Sequence, residues 1–243
     1  MENKKLVVGN MKMNLSAAEI NEYLKKVDEQ EYNKQVVFCP SSLYLPYFVG
    51  KKYGVGSQDI AAYDNGAYTG EISAKQIVSM SIDYTIIGHS ERREYFKETD
   101  ETVRKKIDLA LADNLKVILC IGETEEERDS LKTYKVLKKQ ITAALKGIDK
   151  SNYEKIVIAY EPVWSIGTGK TPTNREIEDT ITFIKSIVTE LWSYDIQVLY
   201  GGSVNDENVA KLEEINNVGG YLVGGASTKA DKFIKIIEVV VTQ

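Results

Sequence analysis

Histidine is nearly missing from this sequence. His89 is the only one among 243 residues, and beside it stand two cysteines, two tryptophans and four prolines. One imidazole and two separated thiols, Cys39 and Cys120, make a poor ligand set for zinc, whose centres draw on three or four such side chains. Both cysteines follow apolar, β-like residues and are expected to be buried and reduced. No disulfide framework is available, and a reducing cytosol is the default compartment. Basic blocks are missing too. The 31 Lys and Arg are interleaved with 36 Asp and Glu for a net charge of -5, which argues against a nucleic-acid surface and leaves an anionic small ligand to a local site. The longest apolar runs, such as "KLVVG" and "KVILCIG", are far too short to cross a bilayer. The N-terminus "MENKKLVVGN" has no signal-peptide hydrophobic region. The expectation is a compact, cytoplasmic protein with neither a nucleic-acid nor a membrane partner, and 43% hydrophobic residues supply an ample core.

What the chain does have is a repeated alternation. Brief β-branched runs recur at 5–10, 35–39, 54–58, 84–88, 116–121, 156–160, 197–201 and 220–224. They are continuously apolar rather than alternating, as strands buried on both faces are. The third carries two glycines, which lower strand propensity. Helical patterns fill the gaps. Ile177, Ile181, Ile184, Val188 and Leu191 step by three or four along one face, with Thr173 or Asn174 as the cap. Leu137, Ile141 and Leu145 repeat the pattern, as do Phe233, Ile236, Ile237 and Val240. Residues 16–27, 43–52, 74–81, 100–113 and 205–216 are further helix candidates. Eight strand–helix units imply parallel strands with right-handed crossovers. With no linker in the sequence, residues 1–243 read as a single α/β domain, a (β/α)8 barrel of eight parallel strands with its site at the C-terminal face; periodicity leaves an open doubly wound sheet as the alternative.

In a barrel, chemistry collects at the C-terminal strand ends, and the unusual residues fall there. "GNMKMN" puts Asn10 and Lys12 after the first strand, "GHSE" puts His89 after the fourth, and "YEPVW" puts Glu161 after the sixth. Alone, each has an ordinary reading: a solvated lysine, a hydrogen-bonded structural histidine, a loop carboxylate. Pro162 biases Glu161 towards extended geometry, so the backbone aims its side chain. A helix starting at Ser90 would hold positive dipole near the His89 ring and disfavour the imidazolium. The glycine pairs of "YGGSV" and "VGGAS" end two adjacent strands, where barrels bind phosphate through backbone amides. Two other motifs fail. "GKT" at 169–171 needs a glycine where Trp164 stands to be a P-loop. "GHSER" has Arg92 where a serine-hydrolase elbow needs glycine. The loop "WSIGTGKTPT", bracketed by Pro162 and Pro172, reads instead as a mobile lid with stiff ends.

With these residues assembled, the sequence resembles the triosephosphate isomerase family over essentially its whole length, through "GNMKMN", "GAYTGE", "GHSERR", "CIGET", "AYEPVWSIGTGKTPT", "YGGSV" and "VGGAS". The resemblance implies the glycolytic and gluconeogenic interconversion of dihydroxyacetone phosphate and D-glyceraldehyde 3-phosphate through an enediolate, with no metal or organic cofactor. It implies Glu161 as the base, His89 as a neutral electrophile serving the two oxygens, and Lys12 as the stabilising cation. Asn10 would orient substrate, and Gly167, Ser203, Gly224 and Gly225 would offer amides to the phosphate. Glu91 would support the site. A neutral catalytic histidine and closure of a loop over the substrate are well-described features of this family, so both are carried over from it rather than predicted. Family members are usually homodimers, which implies that loop 64–71 enters the partner's site and that Thr69 reaches Asn10 and Lys12 there. Met11 stands where the family usually has tryptophan, so packing near the interface is expected to differ. Ser165 stands where alanine is common. Another sugar-phosphate barrel would explain the glycine pairs but not Lys12, His89, Glu161 and the lid together, and a catalytically silent barrel would not need intact acid–base residues.

Overall fold

The computed structural model describes residues 4–166 and 170–241. The strands form in the expected order: β1 Leu6–Asn10, β2 Val36–Cys39, β3 Gly54–Ser57, β4 Tyr84–Ile87, β5 Lys116–Ile121, β6 Ile156–Tyr160, β7 Val198–Tyr200 and β8 Gly220–Val223. Each pairs in parallel with the next, and β1 closes the circle on β8 through the register Leu6↔Gly220 to Gly9↔Val223. Closure decides against the open sheet. It also leaves no strand edge among the described residues, so every backbone ladder is satisfied within the ring.

The strand pleat sorts side chains into two layers. Leu6, Val8, Val37, Cys39, Tyr84, Ile86, Ile118, Cys120, Ala159, Leu199 and Leu222 fill the barrel interior. Val7, Phe38, Ile87, Leu119, Ile158 and Val223 point outward against the helices. Residue parity then carries beyond the strand ends. Asn10 continues the inward set of Leu6 and Val8, and Glu161 continues that of Ala159, so both point into the mouth. The weak third strand is explained by the same layer. A Cβ on Gly56 would lie 2.7 Å from the Cys39 Sγ and 3.1 Å from the Tyr84 Cβ. Tyr84 occupies the space that β3 leaves free. Both cysteines are free and buried.

Amphipathic helices cover the barrel at Ala17–Val27, Ala74–Ser79, Asp100–Ala112, Thr133–Leu145, Asn174–Trp192 and Ala230–Val241. Thr173 caps the longest, accepting from the Glu176 amide while the Glu176 side chain returns the bond. Two expected helices shrink. The stretch 43–52 is a 3-10 turn, Ser42–Tyr44, followed by the single turn Leu45–Phe48, because Val49 is extended and Gly50 takes a φ of 81°. The stretch 205–216 is helical only at Val209–Leu212. There the Asn205 side chain accepts from the amides of Glu207 and Asn208, a local alternative that competes with helix formation. A short helix at Glu125–Asp129, capped by Thr124, was not expected from periodicity.

Candidate active site

The C-terminal ends of β1, β4, β6, β7 and β8 converge on a cavity of about 580 Å³ whose lining includes Asn10, Lys12, His89, Glu161, Ser203, Gly224 and Gly225. All of the expected site residues except Glu91, Thr69 and Gly167 thus meet at one place. Gly167 lies outside the described residues.

Lys12 reaches this cavity because the backbone bends sharply after β1. Its φ is 53°, a left-handed conformation that a non-glycine residue holds only when its surroundings impose it. Asn10 imposes it from one side, its Oδ1 accepting from the Lys12 amide at 3.0 Å. Gln58 does so from the other, its Nε2 donating to the carbonyls of Lys12 and Cys39 at 2.9 Å each. The lysine side chain then crosses the mouth. Its Nζ is 2.5 Å from the Glu91 Oε1 and 3.7 Å from where a Cβ on Gly224 would stand. The cation therefore lies between the acid–base cluster and the glycine turn after β8. Asn10 is a positioning residue for Lys12 as well as a wall of the cavity.

His89 is the N-cap of helix Ser90–Tyr95, as the sequence suggested. The Glu91 amide donates to Nδ1 at 3.3 Å, which fixes the ring proton on Nε2 by hydrogen-bond logic. That nitrogen faces the Glu161 Oε1 at 2.9 Å, with both side chains buried. The other Glu161 oxygen accepts from the Ser90 amide at 3.0 Å. Burial pulls the His89 pKa down, but the charge and hydrogen bond of Glu161 outweigh it, and the pKa lies above its ordinary value. Burial raises the Glu161 pKa; the His89 ring, the Ser90 amide and Lys12 pull it down further, and the net direction is down. The hydrogen bond at Nδ1 fits the expected neutral ring; the expected depression of its pKa is what differs, because Glu161 holds it above the ordinary value.

The backbone of β6 is set by a close approach. A Cβ on Gly122 would fall 1.7 Å from the Glu161 carbonyl oxygen, so only glycine lets the end of β5 pass beneath the base. One residue on, Glu123 is buried and accepts from the Trp164 Nε1 at 2.8 Å and the Tyr160 hydroxyl at 3.1 Å, while the Arg128 guanidinium stacks 3.6 Å over the Trp164 ring. Glu123 thereby anchors the chain leaving Glu161. It sits inside "CIGET", but nothing in the spacing singled it out. Gln58 had no sequence signal either, since a glutamine after a strand is common. Behind His89, Arg92 pairs with Asp59 and Glu98 at 2.9 and 2.5 Å, and Lys106 is buried against the same two acids. Burial raises the Asp59 carboxyl to about 6. This network holds helix Ser90–Tyr95 to helix Asp100–Ala112.

At the anion end, the turn Gly225–Thr228 starts directly after Gly224, and a Cβ on Gly225 would meet nothing within 4 Å. The Ser203 hydroxyl donates to the Ser165 carbonyl at 2.9 Å, tying the strand-seven turn to the segment after Trp164. A second cavity of about 320 Å³ adjoins the first and shares Asn10, Lys12 and His89 with it; Met13, Gln58, Gly70, Ile72 and Phe96 are among its other walls. Thr69 is exposed and lines neither cavity of its own chain. Glu91 lines the second cavity and stands 3.7 Å from the His89 Nδ1. Met11 is fully buried within the subunit's own core. Among the described residues, no cluster of three or more His, Cys, Asp or Glu could hold a metal ion.

Fold and site together define a parallel barrel with an acid–base cluster and a glycine-lined pocket at the carboxyl ends of its strands. The family model described as triosephosphate isomerase matches residues 5–240. Proteins named triosephosphate isomerase from Alkaliphilus oremlandii and Clostridium perfringens are 40% and 43% identical, each covering 96% of this chain and 98% of its own length. One of the same name from Clostridium botulinum is 42% identical over equal shares. The chain belongs to the triosephosphate isomerase family.

Proposed function

We propose that this chain, acting as one catalytic domain over residues 1–243, interconverts dihydroxyacetone phosphate and D-glyceraldehyde 3-phosphate, a step of glycolysis and gluconeogenesis, through an enediolate. Family membership supports an isomerase of triose phosphates. The observation that carries the residue roles is the buried Glu161–His89 pair at 2.9 Å with Lys12 across the same cavity.

Glu161 is the general base. It reaches a substrate carbon only by leaving the His89 ring, and a substrate oxygen then takes the place of its carboxylate at Nε2. That exchange also changes the charge on the histidine. Once the carboxylate departs, burial and the Glu91 amide at Nδ1 both favour the neutral ring. A neutral Nε2–H then donates to the two substrate oxygens in turn, while Lys12 balances the negative charge that develops on them. Ser203, Gly224 and Gly225 offer amides to the phosphate, joined by Gly167 of the lid. Holding the phosphate and excluding water protects an enediolate that could otherwise lose phosphate. Substrate incubated in D2O with the protein acquires deuterium at the abstracted carbon. Glu161→Gln abolishes that exchange at unchanged far-UV circular dichroism; exchange at the wild-type rate would remove Glu161 from the base role.

The assembly is a homodimer. The 320 Å³ cavity opens beside Lys12 and His89, and the exposed apolar side chains of Met13 and Phe96 line it. Loop 64–71 is the matching projection. Tyr63 and Tyr68 stack at 4.0 Å and Asp64 pairs with Lys75 at 2.7 Å, which holds the loop in one shape and presents Thr69 for the partner's cavity. The cytoplasm is the compartment, supported by two buried free thiols.

A further inference from the structure

The protein carries a net charge of -5, yet the proposed isomerase reaction gives it a dianionic substrate. A uniformly acidic surface repels such a ligand, so the approach depends on local cations. The 580 Å³ cavity is lined by three lysines, Lys12, Lys229 and Lys232, against one carboxylate, Glu161. Two of these lysines are engaged. Lys12 is 2.5 Å from Glu91, and Lys232 is 3.1 Å from Asp206. Lys229 is exposed, and among the described residues no carboxylate lies within 4.0 Å of its ammonium, since no such ion pair forms in the structure. Its charge reaches Glu19 only weakly, as the smallest of the influences that lower that carboxyl's pKa.

Lys229 also has the right connection to the backbone. It ends the turn Gly225–Thr228, its amide donating to the Ala226 carbonyl at 3.3 Å. The same turn begins at the glycines that face the cavity. One short element thus supplies both open backbone amides and, four residues after Gly225, a free cation at the rim. An exposed ammonium on a four-carbon stem is a flexible point charge that can follow an arriving anion.

We propose that Lys229 is a positioning residue that captures the phosphate dianion at the cavity rim and hands it to the glycine turn. This rests on the isomerase reading for its substrate, but the ligand it recognises is any small phosphate dianion. Its role is in encounter, not in proton transfer, so it acts on kcat/KM and leaves kcat alone. Rim charges act on association rates and their salt dependence.

The test compares Lys229→Gln with Lys138→Gln, which makes the same charge change on helix Thr133–Leu145, where Lys138 faces Glu190 at 3.5 Å. At ionic strength of roughly 0.01 M, Lys229→Gln lowers kcat/KM by about 3- to 10-fold with kcat unchanged, and the deficit shrinks as salt approaches roughly 0.15 M. Lys138→Gln changes neither. Inorganic phosphate, titrated calorimetrically against each protein, binds Lys229→Gln more weakly by a similar factor. A wild-type kcat/KM and salt slope for Lys229→Gln, or an equal loss in Lys138→Gln, overturns the proposal. If the protein shows no isomerase turnover at all, phosphate calorimetry still decides for or against Lys229, and the isomerase reading alone fails.

Discussion

His89 and Glu161 share one buried hydrogen bond, and each sets how the other titrates. The carboxylate holds the imidazole above its ordinary pKa, and the imidazole helps to hold the carboxylate below its own. The two shifts act on stability from opposite sides of the pH scale. A raised histidine contributes stability that is complete below the unfolded value of about 6.5 and is lost as pH rises through the folded pKa. A lowered carboxyl contributes stability that is present above its unfolded value of about 4.3 and is lost as pH falls through the folded pKa. The pair is therefore worth most between those two values. Because His89 is the only histidine, its ring resonances are assigned without further labelling. They titrate above about 6.5 in the free protein and move down in Glu161→Gln, where no carboxylate faces Nε2. An unchanged titration in that variant would show that the two side chains do not meet in solution.

Elements fix what the residues can do, and the closest constraint is where β5 passes β6. Gly122→Ala places a methyl 1.7 Å from the Glu161 carbonyl oxygen, so either the strand or the base must shift. The expected cost is on the order of 3 kcal/mol, or roughly 6–12 °C in Tm for a chain of this size, with kcat falling as well because Glu161 moves. A wild-type Tm with full activity would show that this crossing is slack. The elements were legible where one apolar period dominated, as in Asn174–Trp192, or where a short run was continuously apolar, as in the strands other than the glycine-bearing third. They were misjudged where local hydrogen bonding won, as at Asn205 and Asn208, or where a single capping box nucleated a turn too short to show periodicity, as at Thr124. The site was legible through its unusual residues at strand ends. Gln58 and Glu123 escaped notice because their function is to hold backbone and a tryptophan in place, and that follows from contacts distant in sequence. The raised pKa of His89 also depended on which way the Glu161 side chain turns, which no motif encodes.

At the scale of the whole molecule, one barrel brings together side chains from β1, β4 and β6 and backbone from β7 and β8, and two copies are expected to complete each other. Thr69→Arg puts a charge on the loop that the proposed dimer places in the partner's cavity, where it would be buried without a partner. Sedimentation velocity then shows a shift from dimer to monomer at micromolar concentrations and lower activity per subunit; a dimer as tight as the wild type would move the interface elsewhere. The measurement that bears most directly on the isomerase assignment is a coupled assay of purified protein in both directions with chelator present. The expected result is turnover of dihydroxyacetone phosphate and D-glyceraldehyde 3-phosphate that chelation leaves intact and that Glu161→Gln reduces by about 10²–10⁴-fold. No turnover in either direction, or a Glu161→Gln variant as fast as the wild type, would contradict it.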